Sequence, residues 1–241
     1  GFRFFQLSKS KVSAKHINQN GIVFADNIQL QANQRLTQGQ SAQLIADHSV
    51  ILNAQEIDMN GISVAKELDA NAQKKLVLGG KVQIENNSQL NADHVQLNGL
   101  LLSKNATIHA ASKLEQSQDD VLTVSNDLEI VAKNLQLAGQ TLATDIDLKA
   151  QENLTQNGNL QAYRDISLIA AKDIIFTPLS QTVALGDIYI DAKNHLNTQQ
   201  TAQSGAVISS NQDITVKAGN TATLQGQFSA KNIDVTAKNN L

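Results

Sequence analysis

The chain has 241 residues, with 22 acidic and 19 basic side chains, a net charge of −3, aromatics at 3% and no cysteine. Basic residues scattered among more numerous acids form no stripe for nucleic acid, no apolar run reaches the roughly 20 residues that span a bilayer, and no signal peptide begins the chain. Without cysteine there is no disulfide framework, and a core of small and branched side chains has to hold the fold unaided.

Residues 1–11 differ from everything that follows. Their first seven, GFRFFQL, are aromatic and short, and the segment reads as a cap or as the remnant of a preceding region. From residue 12 onward, alanine returns at one position: Ala14, Ala32, Ala54, Ala72, Ala92, Ala110 and Ala132, then Ala150, Ala170, Ala192, Ala218 and Ala237. Successive alanines stand roughly 20 residues apart, the period of a solenoid coil. Two residues before each alanine from Ala32 on stands an apolar residue such as Leu30, Ile130 or Val216, and four before stands another, with Ser88 the exception. Strict alternation places these side chains on one face of a strand, whereas a helix needs them three and four apart.

The stretch 12–36 matches 52–76 without a gap, two alanines further on, so the unit is a pair of coils. Gly21, Gly61, Gly99 and Gly139 stand in register in the first four copies, and Pro178 stands near the corresponding place in a fifth. A single coil of this length is too short for two packed helices and long enough for three strands and three turns. The expected fold is all-β: a single right-handed parallel β-helix of about eleven to twelve coils over residues 12–241.

Before each strand stands Asn27, Ser49, Glu67, Asn87, Asn105 or Asp127, and later Asp145, Asp165, Asp187, Asp213 or Asn232. Asn and Asp bond their own turns and tolerate left-handed backbone, so each is expected to cap its own corner. The five aspartates among them form the one acidic ladder. His16 and His94 occupy matching places but lie four coils apart, too far for one zinc shell, so no metal or other cofactor is expected.

Two stretches break the regularity, residues 177–186 with the lone proline and residues 197–212, where the coil swells and the gap from Ala192 to Ala218 is the longest in the column. Solenoids extrude extra residues as loops, often on the binding face, and a neutral insertion, which a surface loop tolerates at little cost, is the equal alternative. The candidate partner-binding residues are therefore Thr177, Pro178 and Leu179 in the first stretch, and Gln199, Gln200, Ser204 and Gly205 in the second. For catalysis the best carboxylate pair is Asp145 with Asp147, two apart on one face, while the neighbours Arg164 and Asp165 are expected on opposite faces. Neither has a base or third acid beside it in sequence, and aromatics for stacking on sugar rings are few, so the chain reads as a non-enzyme.

The pattern (D/N)-I-x-L-x-A-x-x-x-L followed by an x-G-x-L turn, as in DIDLKAQENLTQNGNLQA at 145–162 and DIYIDAKNHL at 187–196, resembles the repeats of filamentous haemagglutinin-like exoproteins. The resemblance covers about nine tenths of the chain. It implies secretion by a two-partner route through an outer-membrane transporter of a Gram-negative bacterium, folding outside the cell, and display of a filament at the cell surface. Such repeats also build the stalks of contact-dependent growth inhibition effectors. The absence of cysteine suits passage through a narrow pore, and residue 241 falls where other coils carry on, as in a longer array. The expected function is a structural and interaction segment that presents an adhesive or toxic domain to other cells. A receptor-binding portion of the same filament is the alternative, and a polysaccharide-active β-helix enzyme is a third reading.

Overall fold

The alternation resolves into three strands per turn. In one regular coil Asp145–Ala150, Leu154–Gln156 and Asn159–Ala162 follow each other around the section, and Ile166–Ala170 then begins the next turn directly on top of the first. Ile146 pairs with Ile166, Leu154 with Ile174 and Asn159 with Gln181, all in parallel register. These pairings build a first, a second and a third sheet. The first corner leads from the third sheet to the first, the second corner from first to second, and the third corner from second to third. The computed structural model describes residues 9–241, which form an all-β solenoid of about 11 turns without a helix. At about 4.8 Å per coil the rod is roughly 50 Å long.

In the first half, strands run on through the corners. Gln43–Met59 and Ile62–Leu78 each cover 17 residues, with register shifts where the chain bends. The first strand opens at Ser10, two residues ahead of the expected start of the repeats, and Ser10 pairs with Ile28. Residues 1–8, the greater part of the expected cap, lie outside the described residues.

Every alanine of the column from Ala32 to Ala218 is buried, at 0 to 9% exposure. Ala14 and Ala237 are half-buried in the terminal passes. Neighbours stack in register, Ala92 on Ala110, Ala110 on Ala132 and Ala132 on Ala150. The polar exception, Ser88, is also buried, and its hydroxyl donates to Ser103 Oγ at 2.9 Å, which in turn donates to the Asn105 carbonyl at 2.7 Å. A hydroxyl that finds its partner inside the core avoids most of the cost of burial.

At the third corner the backbones approach closely. A Cβ at Gly80 would lie 2.1 Å from the Gly61 carbonyl oxygen, and one at Gly158 would lie 2.1 Å from that of Gly139. Glycine is therefore required there for space. Among the described residues only Gly226 has left-handed backbone, with φ of 97°.

This corrects the expectation for the Asn and Asp column. Its residues adopt ordinary φ, and their side chains reach the adjacent coil. Asp145 Oδ1 accepts from the Asp165 N–H at 3.3 Å, Asp165 Oδ1 from the Asp187 N–H at 2.7 Å, and Asp187 Oδ1 from the Asp213 N–H at 3.0 Å. Asn105 donates its side-chain amide to Asn87 Oδ1 at 2.9 Å in the same manner. A carboxylate and an amide oxygen both accept such a bond, which is why the two residue types exchange along this column.

Candidate functional site

Both candidate partner-binding stretches lie at the third corner of consecutive coils. The Gln199 N–H donates to the Phe176 carbonyl at 2.9 Å, and the Val207 N–H to that of Ser180 at 3.0 Å, so one stretch sits directly on the other.

Only part of each stretch is irregular, and the expected boundaries are corrected accordingly. In the first, Gln181–Ala184 is a strand of the third sheet, paired with Asn159–Ala162 on one side and Val207–Ser210 on the other. What remains is a four-residue turn at the third corner, Thr177 to Ser180, closed by the Ser180 N–H on the Thr177 carbonyl at 3.0 Å, and Leu185 with Gly186 at the following first corner. The same turn occurs at residues 39–42 and 117–120. Pro178 occupies its second position, where a fixed φ near −65° suits the bend. Thr177 donates its hydroxyl to Asn157 Oδ1, and Leu179 stands 66% exposed at the tip.

The second stretch contains the true insertion. His195–Thr198 and Val207–Ser210 are ordinary strands, and the residues between them fold into a small hairpin. Gln200 and Gly205 form an antiparallel bridge, and the Thr201 N–H donates to the Ser204 carbonyl at 2.6 Å. The hairpin rests on the following coil, where the Gly226 N–H donates to Gln200 Oε1 at 3.3 Å. A Cβ on Gly205 would meet Gly226 Cα at 3.0 Å, so Gly205 serves close packing. Thr177, Pro178, Leu179, Gln199, Gln200, Ser204 and Gly205 are thus brought to one corner of the rod.

A second concave region lies on the outer side of the first sheet, a groove of about 630 Å³ lined by Asp127, Glu129, Asp145, Asp147, Arg164 and Tyr189 among others. Asp145 and Asp147 do share the outer face, and each has a cation. Arg164, also exposed, turns back onto Asp145 and donates to its two oxygens from Nε and Nη2, while Lys149 Nζ lies 2.6 Å from Asp147 and 3.2 Å from Glu129. Arg164 and Asp165 are therefore not divided between two faces, because they belong to a corner and the strand alternation does not extend to them. The hydrogen bond that Lys149 donates to Asp147, ahead of the one it donates to Glu129, raises its pKa. Tyr189 donates to Asp191 at 3.0 Å and carries the Lys217 ammonium 5.3 Å from its ring centre. These charges bind the coils to each other.

His94 faces Glu115 at 2.8 Å, and Glu115 also receives Lys113 at 2.5 Å, whose hydrogen bond is the first cause holding its carboxyl below the ordinary range. His16 lies four registers away through Arg35, Glu56 and Lys75. Among the described residues no cluster of three or more His, Cys, Asp or Glu side chains could hold a metal ion.

One polar cluster escapes sequence reasoning. Asp120 is 2% exposed, with Oδ1 accepting from the Gly99 N–H at 3.0 Å and Oδ2 from Gln116 Nε2 at 2.8 Å. Burial outweighs those two bonds and raises its pKa to about 6. The available signal was its register: Asp120 precedes its third-sheet strand at the place where Gly61, Gly80, Gly99, Gly139 and Gly158 precede theirs. Gln38 and Gln156, fully buried at the end of the second sheet, likewise donate to carbonyls of the third corner or the next coil.

No family model, curated protein or solved structure matches the chain.

Proposed function

We propose that the chain is a structural segment of a secreted, cell-surface β-helical filament, passed through an outer-membrane transporter and folded outside the cell, that holds an adhesive or toxic domain at a distance from its bacterium. The resemblance of its repeats to haemagglutinin-like exoproteins supports this reading. The observation that carries it is the use of the outer surface. From the Asn and Asp column to the Arg164 and Lys149 ion pairs, the outward polar side chains bond from one coil to the next, which suits a rod whose task is to stay extended. A stack of coils joined only to nearest neighbours can be lengthened or shortened without altering the rest.

A second reading, receptor recognition by this segment, draws on the hairpin at residues 199–206, the one antiparallel pairing among the described residues. Two deletions within the filament separate the readings. Removing residues 140–180 joins Gly139 to Gln181, and removing residues 181–226 joins Ser180 to Gln227; each excises two whole coils and shortens the rod by roughly 10 Å. A stalk loses equally little delivery of its distal domain in both cases. Loss confined to the second deletion, which takes the hairpin, would favour receptor recognition.

A further inference from the structure

The third sheet turns a mostly apolar side outward over its first six coils, with Gln43, Lys81, Gln83 and Thr123 as the polar exceptions. Ile22, Phe24 and Ile62 are 68, 37 and 38% exposed, and Ile45 and Val64 continue the Phe24 column in direct register. Lys81 and Gln83 follow, and then Leu100 and Leu102. A strand needs an apolar residue only on its inner side, so an apolar outer side on several successive strands calls for a cover.

The rim of this surface indicates what the cover is. Along the first corner, directly after the third-sheet strands, stand Asp47, Lys66, Glu85 and Lys104 in successive coils, all exposed. Read from the midpoint between Lys66 and Glu85, the series is opposite in sign on its two sides. A second copy placed face to face, about a twofold axis parallel to the strands and through that midpoint, sets like corners together with the rods antiparallel. Lys66 then meets the other copy's Glu85, Glu85 meets its Lys66, and Asp47 and Lys104 meet likewise. The same axis lays Ile45 over Leu102 and Phe24 over Thr123, while the aliphatic stem of Lys81 covers Ile62 and its ammonium reaches water. Two sheets so joined have their strands aligned, about 10 Å apart, as in a β-sandwich.

We infer that the outer surface of the third sheet between residues 22 and 123 is a self-association surface, which pairs two rods side by side and antiparallel. Six coils of four residues cover roughly 400 Å² on each partner, against about 800 Å² for an ordinary stable complex, so the pairing is weak and reversible.

Sedimentation velocity of the whole chain across a concentration series tests this, with circular dichroism as the check on folding. The wild type should dimerise in about the 10 μM to 1 mM range. Lys66→Glu should raise the dissociation constant at least about tenfold, and adding Glu85→Lys should bring it back within about threefold, since the pair is restored with its signs exchanged. Both residues are exposed, so neither change threatens the fold. Phe24→Ser should weaken the dimer with no rescue by the charge exchange. A chain that stays monomeric throughout the series, or a dimer indifferent to Lys66→Glu, or one that the double exchange fails to restore, would each overturn the inference and leave the surface to a different occupant.

Discussion

Replacing Asp120 by Asn should stabilise the rod at neutral pH and leave it nearly unchanged in acid. The carboxyl of Asp120 is 2% exposed, and burial moves its pKa from 3.8 to about 6. A raised folded-state pKa in an acid means that the native state binds more protons than the unfolded chain between those two values. Stability contributed by the neutral acid is therefore full below about pH 4, declines as the pH rises, and is gone above about 6. Two pKa units amount to about 3 kcal/mol, an upper figure because the native state relaxes around the charge. Asn keeps the acceptor for the Gly99 N–H, and turning the Gln116 amide lets it keep that bond too, at the loss of the longer Gln116 bond to the Gln140 carbonyl at 3.3 Å but without a charge to desolvate. Glu115 acts in the opposite sense, since its depressed pKa supplies stability at neutral pH that is lost as the pH falls. That contribution is common to wild type and variant and cancels between them. Urea unfolding at pH 3.5 and pH 7, with hydrogen exchange at residues 117–121 as the local reading, is the assay. The variant should gain up to about 3 kcal/mol over wild type at pH 7, with the gap closing toward pH 3.5. A gap independent of pH, or a wild type favoured at pH 7, would mean that Asp120 is solvated and that the third corner is open to water there.

Ala110→Asp should cost several kcal/mol, because Ala110 has no exposure and the new carboxylate finds no partner in the column. Asp145→Asn, which retains the acceptor for the Asp165 N–H and loses only an exposed pairing with Arg164, should cost less than about 1 kcal/mol, so equal thermal losses would place the alanine column on the wrong face. Gly158→Ala should lower the melting temperature by the equivalent of about 1–3 kcal/mol, since its Cβ would lie 2.1 Å from the Gly139 carbonyl, whereas Gly21→Ala, with nothing within 4 Å, should be silent. Deleting residues 200–205 together with Ala206→Gly leaves a two-residue third corner of the kind seen at Asn60 and Gly61, with glycine in the place where a Cβ would crowd the preceding coil, and should leave the melting temperature almost unaltered; a large loss would make the hairpin part of the coil's support.

The period and the alternation made the solenoid legible in the sequence, because a column such as Ala92, Ala110 and Ala132 declares both which side faces inward and how coils are stacked. Corners were read less well. Asp and Asn at the first corner do mark a turn, but the partner of each side chain lies on the adjacent coil, a whole repeat away along the chain, where local turn chemistry gives no guidance. Residues 177–186 read as a loop because Pro178 stands out, yet the irregular part is the turn 177–180, residues 185 and 186 belong to an ordinary first corner, and Gln181–Ala184 alternates as regularly as its neighbours. The hairpin of residues 199–206 was located by excess length alone, which gives its place and not its shape. Asp120 was missed because an aspartate in a turn is ordinary, and only the register with Gly99 and Gly139 shows that it points into a closed corner.

Binding of the purified segment to target cells, measured alongside the variant lacking residues 200–205, tests the stalk proposal most directly. A rod that only presents another domain should show no saturable binding in either form. Saturable binding by the whole segment would contradict that account, and its loss in the trimmed variant would make the hairpin the recognition element.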